Sequence, residues 1–257
     1  MDERRDTKQA EKDYLRRAAA GDWERHKPFS PPGTHTLADS VPLMQDFAVA
    51  LAILQPGPTD LILDLGAGAC WCTDWLARLN LRTISVDIAH DMLRVGQSRV
   101  PPSARTRLAA GDMEQLPFAT GVFDKAICLS ALHHVPSIEK ALGEIARVLT
   151  PGGSVLFSEP GAGHSERPGS VAASRDFGVL EQDILVADFM QACRRAGFAD
   201  VRLKPMSYVI AGFDLTFEQW QAWTRLSTER RPFRALEKLW RAVLELVGAG
   251  KKDVLFE

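Results

Sequence analysis

Cysteine is scarce and scattered. The 257 residues hold four, Cys70, Cys72, Cys128 and Cys193, which make no disulfide framework. Cys70 and Cys72 alone are too few ligands for zinc, so no metal is expected, and a reduced, cytoplasmic compartment is the natural reading. Long apolar runs are missing as well. The longest, around 47–54 and 61–65, are far too short to span a bilayer. Met1 leads into Asp2-Glu3-Arg4-Arg5-Asp6, without the apolar segment of a secretory signal. There is no excess of one charge either: the formal net charge of −2 gives no basic field to hold nucleic acid. Neither internal repeats nor low-complexity tracts are found. What remains is 46% hydrophobic, enough to bury one sizeable core with helical additions.

Against that background the stretch Asp64-Leu65-Gly66-Ala67-Gly68 stands out. It closes the apolar run Leu61-Ile62-Leu63 and opens a helix-like segment through Trp71, Trp75, Leu76 and Leu79. A short strand, a glycine turn and a helix form the entry to a nucleotide-type pocket in open α/β sheets. Glycine lets a ligand touch the backbone where a side chain would block it. A dinucleotide fingerprint needs a third glycine at the sixth position of the motif, and here that position is Trp71. Indole bulk there hinders pyrophosphate approach and close helix–strand packing.

The first sixty residues read as a mixed-charge helix, a Pro-rich break at 29–33 and a second helix at 42–54 that stops before Pro56-Gly57-Pro58. Strands and helices then alternate at the spacing of a parallel sheet. Strands are expected at 61–65, 83–86, 106–109, 125–129 and 154–158, with helices starting near Cys70, Ala89, Ser137 and Glu181. Ser137 is the expected N-cap of its helix, which Pro151-Gly152-Gly153 ends before the next strand. A long irregular segment follows at 161–180, then two last strands at 201–203 and 207–211 and two helices near 217–228 and 233–247. The expected fold is α/β, a Rossmann-like, seven-stranded, mostly parallel sheet with helices on both faces. Its parts are an N-terminal helical cap (1–57), a core (58–211) and a C-terminal helical extension (212–257).

Acids follow the first three strands in turn. Asp87 lies 21 positions beyond Gly66, where a carboxylate can accept both ribose hydroxyls of a nucleoside. An acid is placed similarly in nicotinamide sites, and the same residue can serve as a helix N-cap. Gly111-Asp112-Met113 then follows the third strand, and the fourth ends at Leu129-Ser130-Ala131-Leu132-His133-His134.

This ordered set, from about Leu61 to Pro160, resembles the class I S-adenosylmethionine-dependent methyltransferases, especially the small-molecule branch that includes the ubiquinone and menaquinone enzymes. The resemblance implies that Gly66, Ala67 and Gly68 lie against the methionine and ribose of S-adenosylmethionine, and that Asp64 supports the turn and the methionine amino group. It implies that Asp87 takes the ribose hydroxyls with Ile88 on the adenine. Asp112 accepts from the adenine amine with Met113 on the other ring face, and Leu129 lines the pocket through its carbonyl. Cys70 departs from the pattern, standing where family members usually carry glycine.

With that cofactor the reaction is in-line attack on a sulfonium methyl, and the protein mainly supplies alignment and a dry pocket. A general base is needed only for a poorly acidic hydroxyl or a protonated amine. The candidates are His134, first, then His133, Glu159 and His164, although either of the paired histidines can equally cap a helix or bond a carbonyl. Tyr14, Trp23, His26 and Phe29 are expected to form a lid or to pack the N-terminal segment on the sheet. Ser158-Glu159-Pro160-Gly161, His164-Ser165 and Gly178-Val179-Leu180-Glu181 are similar to methyltransferases of surface-polysaccharide and sugar-nucleotide pathways. This favours a small organic acceptor, a sugar or glycolipid among them, methylated at O or N rather than C.

The stretch 225–241 carries Arg225, Arg230, Arg231, Arg234, Lys238 and Arg241 against Glu229 and Glu237. Such a basic amphipathic helix can lie on an anionic membrane, but packing on its own domain or across a homodimer interface is preferred. The rival readings are an RNA or protein methyltransferase, a cofactor-binding protein without catalysis and, least favoured, a nicotinamide-dependent oxidoreductase. Trp71 and the lack of a Tyr-x-x-x-Lys pair weigh against the last. No Asn-Pro-Pro-Tyr or Asp-Pro-Pro-Tyr signature supports a nucleic-acid substrate.

Overall fold

The computed structural model describes residues 3–29, 37–102 and 104–203. The chain divides between Lys204 and Pro205 into two compact units, and every described residue belongs to the first. The expected strand at 207–211 and the helices at 217–228 and 233–247 lie outside the described residues.

Three helices come first: α1 (Glu3–Ala18), α2 (Asp22–His26) and α3 (Leu37–Leu54). The alternating part then begins, with β1 (Leu61–Leu65), α4 (Trp71–Arg78), β2 (Arg82–Asp87), α5 (His90–Gln97), β3 (Thr106–Ala110) and β4 (Phe123–Leu129). A 3-10 turn at Leu132–His134 leads to α6 (Ile138–Val148), β5 (Leu149–Ser158), α7 (Pro168–Phe177) and α8 (Val186–Arg195). The strands form one parallel sheet in the order β3-β2-β1-β4-β5. Five strands are therefore present among the described residues where seven were expected, and 201–203 is not a strand.

Side chains alternate across the sheet as a two-residue period requires. Leu63, Leu65, Val86, Ala126 and Cys128 pack with Ala141, Ile145 and Val148 of α6. Ile62 and Ile127 turn the other way, onto Phe47, Ala50 and Leu54 of α3 and Trp71 and Leu76 of α4. Both faces are covered, which is why the strands read as nearly continuous apolar runs.

Three expectations need correction. The segment 161–180 is not one loop: Pro168 opens α7 and Gly178, at φ +70°, closes it. No helix starts at Glu181; α8 begins at Val186. Pro151-Gly152-Gly153 does not separate α6 from a strand, because β5 already starts at Leu149. Phe123 pairs with Leu149 and Lys125 with Ser154, so the intervening residues of β5 form a bulge, with Gly152 at φ +82°. Ser137 is the N-cap of α6, its hydroxyl accepting from Lys140 N–H at 3.4 Å.

Candidate active site

β1, β2 and β4 end together, and their carboxyl ends open on a cavity of about 250 Å³. Ligands of open α/β sheets bind in this position, at the point where strand order reverses. Gly66, Ala67 and Gly68 from the β1–α4 turn form its floor with Leu129, Ser130 and Ala131 from the end of β4. Gly66 sits at φ +64°, and a Cβ there would lie 2.2 Å from that of Ala131. Only glycine permits the two turns to approach this closely.

Asp87, Ile88, Asp112 and Met113 line the same cavity. Asp87 is buried, with Oδ2 accepting from Gly68 N–H and Oδ1 from Ala89 N–H, both at 2.8 Å. Burial pushes its carboxyl above the ordinary range, against the pull of those two backbone donors. Asp112 accepts from Glu114 N–H at 2.8 Å and from Lys8 Nζ at 2.6 Å. Lys8 also bonds Glu114, and these two acids outweigh the burial that would lower the ammonium's pKa, so it is raised.

Asp64 does not line the cavity. It lies beneath the turn, where Thr73 Oγ1 sits 2.6 Å from its Oδ2 and 2.9 Å from Ser85 Oγ. Burial raises its carboxyl to about 7, although the Thr73 hydrogen bond opposes this. Cys70, at the position where glycine is usual in the resembling family, keeps a positive φ of 59° and is fully buried away from the cavity. Burial pushes its thiol up to about 12, so it is inert.

Of the four candidate bases, His134 alone lines the cavity. Its Nδ1 lies 2.8 Å from the Leu180 carbonyl, which can only accept, so that nitrogen carries the proton and Nε2 holds a free lone pair. Burial and the adjacent His133 lower its pKa to about 4, keeping the ring neutral. Glu159 is fully engaged below. It accepts from the backbone N–H groups of Ala131 (3.0 Å), Leu132 (2.9 Å) and His133 (3.3 Å), and from His133 Nδ1 at 2.8 Å. Burial would raise this carboxyl, but the His133 bond and charge outweigh it, with help from the backbone donors. Glu159 thus fixes the turn that carries His134. His164 stands behind, its Nε2 2.7 Å from Glu181 Oε2.

The sequence reading missed Lys8, Glu11, Glu24 and Lys27, all of which line the cavity beside Tyr14. Lys8, Glu11 and Leu15 recur at three- and four-residue spacing on one face of α1. Glu11 Oε2 is buried with no hydrogen-bond partner and lies 3.9 Å from His134 Nδ1. Burial, with Asp87 and Glu181 adding to it, raises this carboxyl to about 8. Of the residues expected to form a lid or to pack the N-terminal segment, Tyr14 lines the cavity, Phe29 packs on Trp75 at 5.8 Å between ring centroids, and His26 is exposed.

The class follows from sequence and fold together. Residues 63–157 match the family model described as a methyltransferase domain, and the chain resembles the class I S-adenosylmethionine-dependent methyltransferases. Among curated relatives, the demethylmenaquinone methyltransferase of Mycolicibacterium vanbaalenii is 38% identical over 106 residues, 41% of this chain and 44% of the relative. The match thus spans less than half the length of that relative. Among solved structures, Haemonchus contortus phosphoethanolamine N-methyltransferase 2 with phosphomonomethylethanolamine and S-adenosylhomocysteine superposes with a TM-score of 0.62 at 21% identity. That likeness covers 92% of this chain and 57% of the other. An S-adenosylmethionine-dependent methyltransferase from Mesorhizobium loti gives 0.53 at 21% identity, covering 69% and 88%. Both share the fold. No helix among the described residues is long and apolar enough to cross a membrane.

Proposed function

We propose that the chain is an S-adenosylmethionine-dependent methyltransferase that methylates an oxygen or nitrogen of a small organic acceptor. The observation that carries this reading is the convergence of the glycine turn, Asp87 and Asp112 on one cavity. The donor set fits the cofactor. Gly66 leaves the backbone bare, Asp87 lines the cavity with both carboxylate oxygens oriented by backbone N–H groups, and Glu11 holds a buried carboxyl oxygen with no partner. A buried carboxyl oxygen left without a partner beside a cavity matches a ligand that supplies the missing hydrogen-bond partner.

The cofactor supplies an electrophilic methyl on a sulfonium. Asp87 and the turn would hold its nucleoside and Asp112 and Met113 would meet the base, while Lys8 ties α1 across the site. His134 lines the cavity with Nε2 unprotonated, and would take a proton from an acceptor hydroxyl or ammonium there. Glu159 and the Leu180 carbonyl keep that ring in place. Alignment and exclusion of water supply most of the acceleration.

The name of the menaquinone relatives suggests a quinone-type carbon acceptor. A polar end to the cavity favours O or N instead, since Glu11, Tyr14 and His134 stand there. Glu11 and Tyr14 lie outside the stretch matched by the family model, so the acceptor need not follow the name. The similarity of the segments around His164 and Glu181 to surface-polysaccharide enzymes supports a sugar or glycolipid.

The test is methyl transfer from radiolabelled S-adenosylmethionine into a fractionated extract, with Asp87→Ala as control. Asp87-dependent label in saccharides or other small molecules is expected. Label in RNA or protein would refute the small acceptor, and cofactor binding without any transfer would point to a binding-only protein.

A further inference from the structure

Where His134 lines the cavity, two further histidines and a glutamate meet it from behind. The rings of His133 and His134 lie 3.9 Å apart between centroids, and His164 stands edge-on to His133 at 4.9 Å. A ring nitrogen of His133, one of His134 and a carboxylate oxygen of Glu181 all lie within 4.8 Å of one another. His133 Nε2 faces Glu181 Oε2 at 3.8 Å. That gap is too long for a hydrogen bond. It is close to the separation of two ligands on one tetrahedral ion, roughly 3.3 Å when each bond is about 2.0–2.1 Å.

The surroundings match a ligand set. Metal-binding histidines characteristically donate their second ring N–H to a carboxylate or a backbone carbonyl, which fixes the tautomer. Here His133 Nδ1 is paired with Glu159 at 2.8 Å and His134 Nδ1 with the Leu180 carbonyl at 2.8 Å. Both rings are thereby left with Nε2 as the free donor. His164 Nε2 holds Glu181 Oε2 at 2.7 Å, while its own Nδ1 is buried without a partner.

We propose that His133, His134 and Glu181 bind one divalent cation of the zinc class, with Glu159, Leu180 and His164 orienting the three ligands. Two imidazoles and one carboxylate suit zinc, cobalt or iron better than magnesium or calcium. Three protein ligands leave a further position for water or an acceptor oxygen. Binding of the ion does not depend on methyl transfer. Its consequence does rest on that reading: an ion on His134 replaces the imidazole as the group that weakens the acceptor's hold on its proton.

The experiment is titration of the chelator-stripped, tag-free full chain with Co²⁺, read by its visible d–d absorption, followed by displacement with Zn²⁺. One equivalent per chain in a low-coordinate spectrum is expected. Glu181→Gln should weaken binding at least tenfold while S-adenosylhomocysteine binding persists, and His26→Asn should change nothing. No Co²⁺ uptake by the wild-type chain would overturn the site, as would equal uptake by Glu181→Gln. X-ray absorption of the zinc-loaded wild type needs no variant. Two imidazoles and an oxygen in the first shell support the site, and a shell with one imidazole or none overturns it. Failure here with S-adenosylhomocysteine still bound would leave the methyltransferase reading standing.

Discussion

Cys70 and Gly96 are fitted to each other. A Cβ placed on Gly96 in α5 would lie 2.2 Å from Cys70 Sγ and 2.6 Å from Cys70 Cβ. The position that is usually glycine in the resembling family carries a side chain here, and the facing helix gives up its own to make room. Gly96→Ala should gain up to about 1 kcal/mol of helix propensity and lose about 1–3 kcal/mol to overpacking. The expected net is a loss. Adding Cys70→Gly should restore stability, and a double-mutant cycle in urea reads the coupling.

Asp87→Asn keeps the shape of the site but removes the charge that ribose hydroxyls would meet. Hydrogen bonds to a charged group are worth about 1.5–3 kcal/mol. S-adenosylhomocysteine affinity should fall by about tenfold to a hundredfold on calorimetric titration, and an unchanged affinity would remove Asp87 from the cofactor site.

His134→Ala should depress turnover by about 10²- to 10⁴-fold while cofactor affinity changes only a few-fold. Steady-state kinetics beside a binding isotherm separates the two. Parallel losses would mean that the residue holds the turn rather than serving the acceptor.

Lys8 latches α1 to Asp112 and Glu114, the acids after β3, at the edge of the cavity. Lys8→Ala should leave the sheet intact and speed hydrogen exchange across 3–18, with little change elsewhere. Bound S-adenosylhomocysteine should slow it again.

Asp64 makes stability depend on pH in a definite direction. Its carboxyl is raised on folding from 3.8 to about 7, so the native state holds the proton more tightly than the unfolded chain. The resulting stability is fully present below pH 4 and is lost as pH rises through 7. Asp46, raised by burial to about 6, and Glu11, to about 8, act with the same sign. Between pH 5 and 8 the ligand-free chain should become easier to unfold. Asp64→Asn should flatten that slope by an amount on the order of 2–4 kcal/mol, measured by denaturant titration at several pH values.

Much of this was legible in the sequence because the controlling forces are local. The run at 61–65 is β1 to the residue, and Ser137 caps α6, since apolar runs and hydroxyl caps act within a few positions. α7 was missed: Pro168 and Gly178 mark its ends, but its mixed composition hid it inside an apparent loop. Lys8 and Glu11 were not legible. Their place in the site depends on where α1 docks, and a charged helix face looks the same whether it meets water or a cavity. Glu159 looked like a base because it follows β5 at the sheet's carboxyl edge; that it spends its oxygens on the turn after β4 is visible only once the two strands are side by side.

The division of the cavity wall has an evolutionary consequence. The turn, Asp87, Asp112 and Met113 come from one contiguous stretch, whereas Lys8, Glu11, Tyr14 and Leu15 are drawn from the flanking segment before it. Drift or recombination in that flank can therefore retarget such a chain to a new acceptor while its inherited cofactor cassette stays untouched.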